Sequence, residues 1–169
     1  PLVTTKADIL AVEAIKPTVP VLVDHTLLWN DGFFDFAEQV RAKGTLWVTF
    51  VNRGPFRLDT TALWDYGAHV FALLFSLLPN ATVDGFSTMS KKVGMLYKAY
   101  TANANLTWGN GAATRKVDLT HYGKGLVQRS LVEKNGLQNA CQGFLDAIDG
   151  KEDPRLGLDL AIRVCKTLY

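Results

Sequence analysis

A chain of 169 residues is enough for one domain with a sizeable apolar core. Its composition of 48% hydrophobic, 20% charged and 11% aromatic residues excludes a disordered polymer. The 18 basic and 16 acidic residues are interspersed, with a net charge of +2 and no dense Lys/Arg stripe, which argues against a nucleic-acid partner.

In chain order, Thr5 caps a helix over residues 5–15 that Pro17 stops. Residues 20–24 (PVLVD) read as a short, continuously apolar strand. Asn30 or Asp31 then caps a helix whose Phe33, Phe36, Ala37 and Val40 share one face, ended by Gly44. Residues 45–51 alternate as a strand. A helix over residues 63–78 ends at Pro79. Its apolar run, residues 70–79, is about half the length a membrane span needs, so no membrane segment is expected.

After Pro79 come short β-prone segments at residues 81–90, 94–103, 105–108, 115–121 and 126–132, separated by turn residues. Asn110-Gly111 is a strong hairpin signal, and it places the segments before and after it side by side. Two helices close the chain. Leu137, Cys141, Phe144, Leu145 and Ile148 form one apolar stripe; Leu158, Ala161, Ile162, Cys165 and Leu168 form the other. Both cysteines are thus expected as buried small hydrophobes. The fold class is α+β: one domain over residues 1–169, an open, mostly antiparallel sheet with helices packed on one face. The other sheet face needs solvent or a partner. Trp47, Phe50, Tyr97, Tyr100 and Trp108 either line that face as a homo-oligomer interface or belong to the core.

The residues most suggestive of chemistry are Leu63-Trp64-Asp65-Tyr66-Gly67-Ala68-His69. At helical spacing Asp65, His69, Ala72 and Ser76 share a narrow arc, opposite Val70, Leu74, Leu77 and Leu78. A histidine titrating near neutrality beside small residues suits a general base that takes a proton from a substrate hydroxyl. The alternative is structural: Asp65 caps the helix and His69 is a satisfied core histidine. A metal site would need further ligands from His25, His121 or acidic residues, and no metal is expected.

This stretch resembles the D-x-x-x-H motif of the glucose–fructose oxidoreductase / inositol dehydrogenase (Gfo/Idh/MocA) family. Pro1-Leu2 is similar to the end of that family's Glu-Lys-Pro-Leu motif, and residues 21–30 (VLVDHTLLWN) to the strand and loop that reach the substrate. Residues 44–48 and the terminal segment 158–164 resemble its opening sheet strand and closing helix, and the wording is nearest to nucleotide-sugar dehydrogenases. The resemblance implies that His69 is the catalytic base and that Asp65 orients it or binds a hydroxyl. It places Asp24, His25 and Asn30 among the substrate contacts, with Arg115 and Lys116 meeting a phosphate or hydroxyl. His25 departs from the Gln or Arg commoner at that position. The implied function is the substrate-binding C-terminal half of an NAD(P)-dependent oxidoreductase acting on a sugar or sugar nucleotide in the cytoplasm. The other reading is a non-catalytic sugar-binding or dimerisation module. The family's Gly-rich Rossmann domain has no counterpart here, because no G-x-G-x-x-G follows a strand. NAD or NADP is therefore expected in the complete enzyme, with none held by this chain alone.

Overall fold

Strict alternation along β1, Trp47–Gly54, buries Val48, Phe50, Asn52 and Gly54 on one side and leaves Trp47, Thr49, Val51 and Arg53 half-exposed on the other. That pattern belongs to a strand with one covered face. The computed structural model describes residues 3, 5–43, 47–55, 61–90, 95–101, 103–110, 112–131 and 135–169. Pro1-Leu2 and residues 44–46 of the sequence motifs lie outside these.

Around β1 stand β2 (Gly85–Ser90), β3 (Met95–Thr101), β4 (Ala104–Asn110), β5 (Lys116–Gly123) and β6 (Gly125–Leu131). They form one open six-stranded sheet in the order β2-β3-β4-β1-β5-β6. Every pairing is antiparallel except β1 with β4. The covered face of the sheet carries α2 (Asp31–Lys43) and α3 (Ala62–Leu77). Behind α3 pack α5 (Asp159–Leu168) and then α1 (Lys6–Glu13), while α4 (Gly136–Ile148) leans on a 3-10 turn, Thr26–Trp29. The expected class, an open and mostly antiparallel sheet with helices on one face, is the class observed.

α3 lies between the sheet and α5, so it is apolar nearly all round; Val70, Phe71, Leu73 and Leu74 are fully buried. Arg163 of α5 lays its guanidinium over Phe75, 3.7 Å from the ring centroid, and donates to the carbonyls of Pro79 and Ala81 just past the end of α3. Thr5 caps α1 as the sequence implies, its hydroxyl accepting from the Asp8 N–H.

Three expectations are corrected, and one left open between two readings is decided. Residues 20–24 do not join the sheet; the Val21 carbonyl accepts a bond from the Gly157 N–H. Local apolar content makes a strand possible, and an available edge makes it real. Asn110 does not turn a hairpin, because β1 is inserted between β4 and β5; where the chain crosses the end of β1, the Ala112 N–H donates to the Gly54 carbonyl. Gly111 lies outside the described residues. Among the strand aromatics, Phe50 and Trp108 are core, and Tyr97 stacks on Trp108 at 5.7 Å. Trp47 and Tyr100 do face outward, joined by Tyr122 and Leu126, which share a register row with Trp47.

The last correction concerns α4. Its apolar stripe, Leu137, Cys141, Leu145 and Ile148, is exposed, whereas Cys165 is buried. Contact is made by the small residues instead. A Cβ on Gly136 would lie 2.6 Å from the Thr26 carbonyl oxygen, and one on Gly143 would lie 2.1 Å from the Trp29 ring. The bulky indole needs glycine opposite it, so the helix turns its small side inward and its leucines out.

Candidate functional site

The site grows from the seating of α3 on β1. Asn52 occupies an inward position of β1 and donates its Nδ2 to the Tyr66 carbonyl at 2.9 Å. Tyr66 in turn donates its hydroxyl to the Pro55 carbonyl at 2.6 Å. Its ring fills the space over Gly54, where a Cβ would come within 2.5 Å of the phenol oxygen. Gly67 rests on Trp108 with room for no more than hydrogen. These contacts fix the first two turns of the helix, and with them the two residues of interest. Asp65 sits in the first turn, where the helix dipole favours a carboxylate. His69 follows one turn later, a half-buried residue whose Nδ1 is enclosed.

His25 approaches from the other side. Its N–H donates to the Val23 carbonyl at 2.8 Å, tightening the chain around the exposed Asp24. Its carbonyl accepts from the Leu28 N–H at 2.8 Å, which opens the 3-10 turn. Both backbone groups are engaged, so the ring is held in place. It is 4% exposed, and it meets the His69 ring edge to face, with centroids 6.2 Å apart.

Burial decides the protonation of both rings. Desolvation pushes His25 from 6.5 down to about 4, against a smaller opposing pull from Asp24. Desolvation likewise holds His69 well below its ordinary value, reinforced by the positive charge of Arg115 and by His25. At neutral pH the site therefore presents two uncharged imidazoles. Nδ1 and Nε2 of His25 and Nδ1 of His69 have no hydrogen-bond partner among the described residues.

Arg115 stands in the connection between β4 and β5, close enough for its charge to act on His69. Lys116, its neighbour, goes elsewhere: it opposes Arg53 on the open sheet face and pairs with Asp118 at 2.9 Å. Asn30 accepts at its Oδ1 from the Gly32 N–H at 2.9 Å at the start of α2. His121 is buried on β5 five residues from Lys116, roughly 17 Å along the strand. No group of three or more His, Cys, Asp or Glu residues poised for a metal occurs among the described residues.

The geometry thus joins His25, His69 and Arg115, with Asp24 and Asp65 beside them in the chain, and turns Lys116 to the open sheet face. The sequence reading missed Asn52 and Tyr66, which position α3. The signal for Asn52 was present: a polar residue at an inward position of an alternating strand must find a partner. A groove of about 780 Å³ lies elsewhere, between Pro17, Val19 and Val21 on one side and Ala147 and Gly157 on the other. It holds neither imidazole, so chemistry and not volume selects the site.

The sequence joining β1 to α3 carries no dinucleotide-binding signature. The strand-to-helix step from β1 to α3 runs through residues 55–61 (PFRLDTT), which contain no glycine to let a backbone approach a pyrophosphate. No helix among the described residues is long and apolar enough to cross a membrane.

Neither a family model nor a curated protein matches the sequence. Solved structures do match the fold. A putative oxidoreductase from Magnetospirillum magnetotacticum superposes with a TM-score of 0.69 at 18% identity, over 89% of this chain and 62% of that one. The WlbA (WbpB) dehydrogenase from Thermus thermophilus, solved with NAD and UDP-GlcNAcA, gives 0.70 at 13% identity over 99% of this chain and 61% of its own. Over most of its length the chain shares its fold with these oxidoreductases, which are of the Gfo/Idh/MocA type. A myo-inositol dehydrogenase from Lactobacillus casei, solved with NAD(H) and myo-inositol, agrees, at 0.70 and 12% identity over 90% of this chain and 59% of that one. This chain spans about three fifths of the length of these dehydrogenases. At such identities the likeness concerns the fold.

Proposed function

We propose that this chain is the substrate-binding half of an NAD(P)-dependent oxidoreductase that oxidises or forms a secondary hydroxyl on a sugar or sugar nucleotide. The observation that carries the reading is a neutral His69 with an unpartnered Nδ1, one helical turn after Asp65 on a helix pinned to the sheet. In the oxidative direction His69 accepts the proton of the hydroxyl. A base held well below neutrality is weak toward a resting alcohol; it takes the proton as loss of the hydride draws electron density from the oxygen and acidifies the hydroxyl. Asp65 stabilises the imidazolium that results. Arg115 opposes that charge on His69 and is suited to a phosphate or hydroxyl oxygen of the substrate. A nicotinamide, when bound, would supply the acceptor for the hydride. The row Trp47, Tyr122 and Leu126 on the open sheet face supports self-association.

The test is His69→Asn in the full-length protein, with thermal and kinetic assays run together. Turnover is expected to fall by roughly 10²–10⁴-fold, the scale of a lost general base, with the melting temperature nearly unchanged. A lower melting temperature with full turnover in the folded fraction would retire the catalytic assignment and leave a binding module.

A further inference from the structure

We propose that Asn52 is a positioning residue for the reaction: its side chain fixes the register of α3 on the sheet, at the expense of stability, and so sets where Asp65 and His69 stand. The proposal rests on the reading of His69 above and adds to it a residue outside the D-x-x-x-H stretch.

Asn52 is a poor choice for the place it occupies. It lies on β1, an interior strand of the sheet, where asparagine is disfavoured. It is fully buried at an inward position, in line with Val48 and Phe50 along the strand. Its register partners are Trp108 on β4 and Val117 on β5, both apolar and buried. An apolar, β-branched side chain would suit all of these surroundings. Only one end of the amide is used. Nδ2 donates to the Tyr66 carbonyl at 2.9 Å, while Oδ1 is buried with no partner among the described residues. Burying an unsatisfied carbonyl oxygen is unfavourable. The Tyr66 carbonyl does not depend on the bond, because the helix ladder supplies it with the Val70 N–H. Stability therefore gains little from this asparagine.

What the bond adds is direction. Burial of Val70, Phe71, Leu73 and Leu74 holds α3 against its neighbours, and that attraction is non-directional. Gly54 and Gly67 let the helix come close, under Tyr66 and against Trp108. A buried amide bonded to one particular carbonyl fixes rotation and height together, as a buried asparagine fixes register between paired helices. The carbonyl it selects belongs to the residue one after Asp65 and three before His69. The Tyr66 hydroxyl, bonded to the Pro55 carbonyl at 2.6 Å, ties the same turn to the exit of the same strand. Both bonds act on the turn of α3 that carries the chemistry. Reacting groups tolerate little displacement, so the effect belongs in turnover.

The test is Asn52→Val in the full-length protein labelled with ¹⁵N at histidine, with Asn52→Thr, closer in volume, in its place if the first does not fold. The melting temperature is expected to match or exceed that of the wild type, since an unsatisfied oxygen leaves the core. The kcat should fall roughly 10- to 100-fold with KM nearly unchanged, the scale of a misplacement of about 1 Å. The His69 imidazole signals should broaden or split, while those of His121 on β5 stay in place. A lower melting temperature with unchanged kcat in the folded fraction would make Asn52 an ordinary core contact and overturn the proposal. Failure of both variants to fold would overturn it too, because the core would then need the amide. Unchanged kcat with unmoved His69 signals would overturn the positioning role and leave His69 as the base. Split His69 signals with full turnover would overturn the base, and the positioning role with it.

Discussion

The His25 and His69 rings stand edge to face, 6.2 Å between centroids, and burial makes both harder to protonate than free histidine. One arrived on a loop before a 3-10 turn and the other on a helix, 44 positions later in the sequence. Their meeting defines the site, and it also ties stability to pH.

For His25 the sign follows from where each state binds its proton. The unfolded chain takes up a proton near 6.5 and the folded chain only near 4, so the unfolded state binds more protons between those values. Stability from this residue is complete above 6.5 and is lost as pH falls toward 4, by about 3 kcal/mol in all. Urea unfolding at stepped pH should show this decline, with His69 adding to it in the same direction. His25→Phe should flatten the slope; an unchanged slope would mean that His25 titrates normally in the folded protein.

The same burial moves the kinetics. An unperturbed histidine base would give a pH–rate limb near neutrality. Because His69 is held lower, the limb in the complete enzyme should lie on the acid side of 6.5. The pH dependence of kcat/KM measures this directly, and a limb at or above neutrality would contradict the neutral, desolvated ring.

Gly67 should be among the least replaceable residues of α3. A Cβ there would lie 2.7 Å from the Trp108 Nε1 and 3.1 Å from the Leu168 Cδ2, and Trp108 is fully buried with no room to retreat. Alanine in a helix normally gains about 1 kcal/mol over glycine. Here overpacking should reverse the sign, with a net loss of about 1–3 kcal/mol and a changed indole fluorescence. Gly85→Ala is the control, since nothing lies within 4 Å of the added Cβ.

The open sheet face should associate. Tyr122 and Leu126 are 51% and 57% exposed in one row with Trp47, an apolar strip on a face that no helix among the described residues covers. Sedimentation at micromolar concentration should show a dimer or larger species that Tyr122→Asp returns to monomer. A wild-type monomer across that range would assign the strip another purpose.

NADH should not bind this chain saturably at micromolar concentration, since its strand-to-helix step lacks the glycines a pyrophosphate requires. Fluorescence titration of the purified chain checks it, and saturable binding would relocate the cofactor site.

Much of this was legible in local pattern. Apolar periodicity and end signals place α1, α2, α3, α4 and α5 within a few residues, because helix formation is settled by neighbours three and four positions away. Asp65 and His69 were legible for the same reason: one turn of helix sets their spacing. Resemblance, not periodicity, singled out His25 and Arg115.

Tertiary structure decided the rest. Whether Asn110 turns a hairpin depends on β1 taking the place between β4 and β5, a pairing across more than fifty residues that no turn dipeptide encodes. Which side of α4 is buried depends on Trp29, a hundred positions earlier, demanding glycine opposite its ring. The protonation of His25 and His69 depends on how completely each is desolvated, and that is a property of the assembled core. Sequence order sets what a segment can form; competition for edges, volume and water in the folded chain sets what it does form.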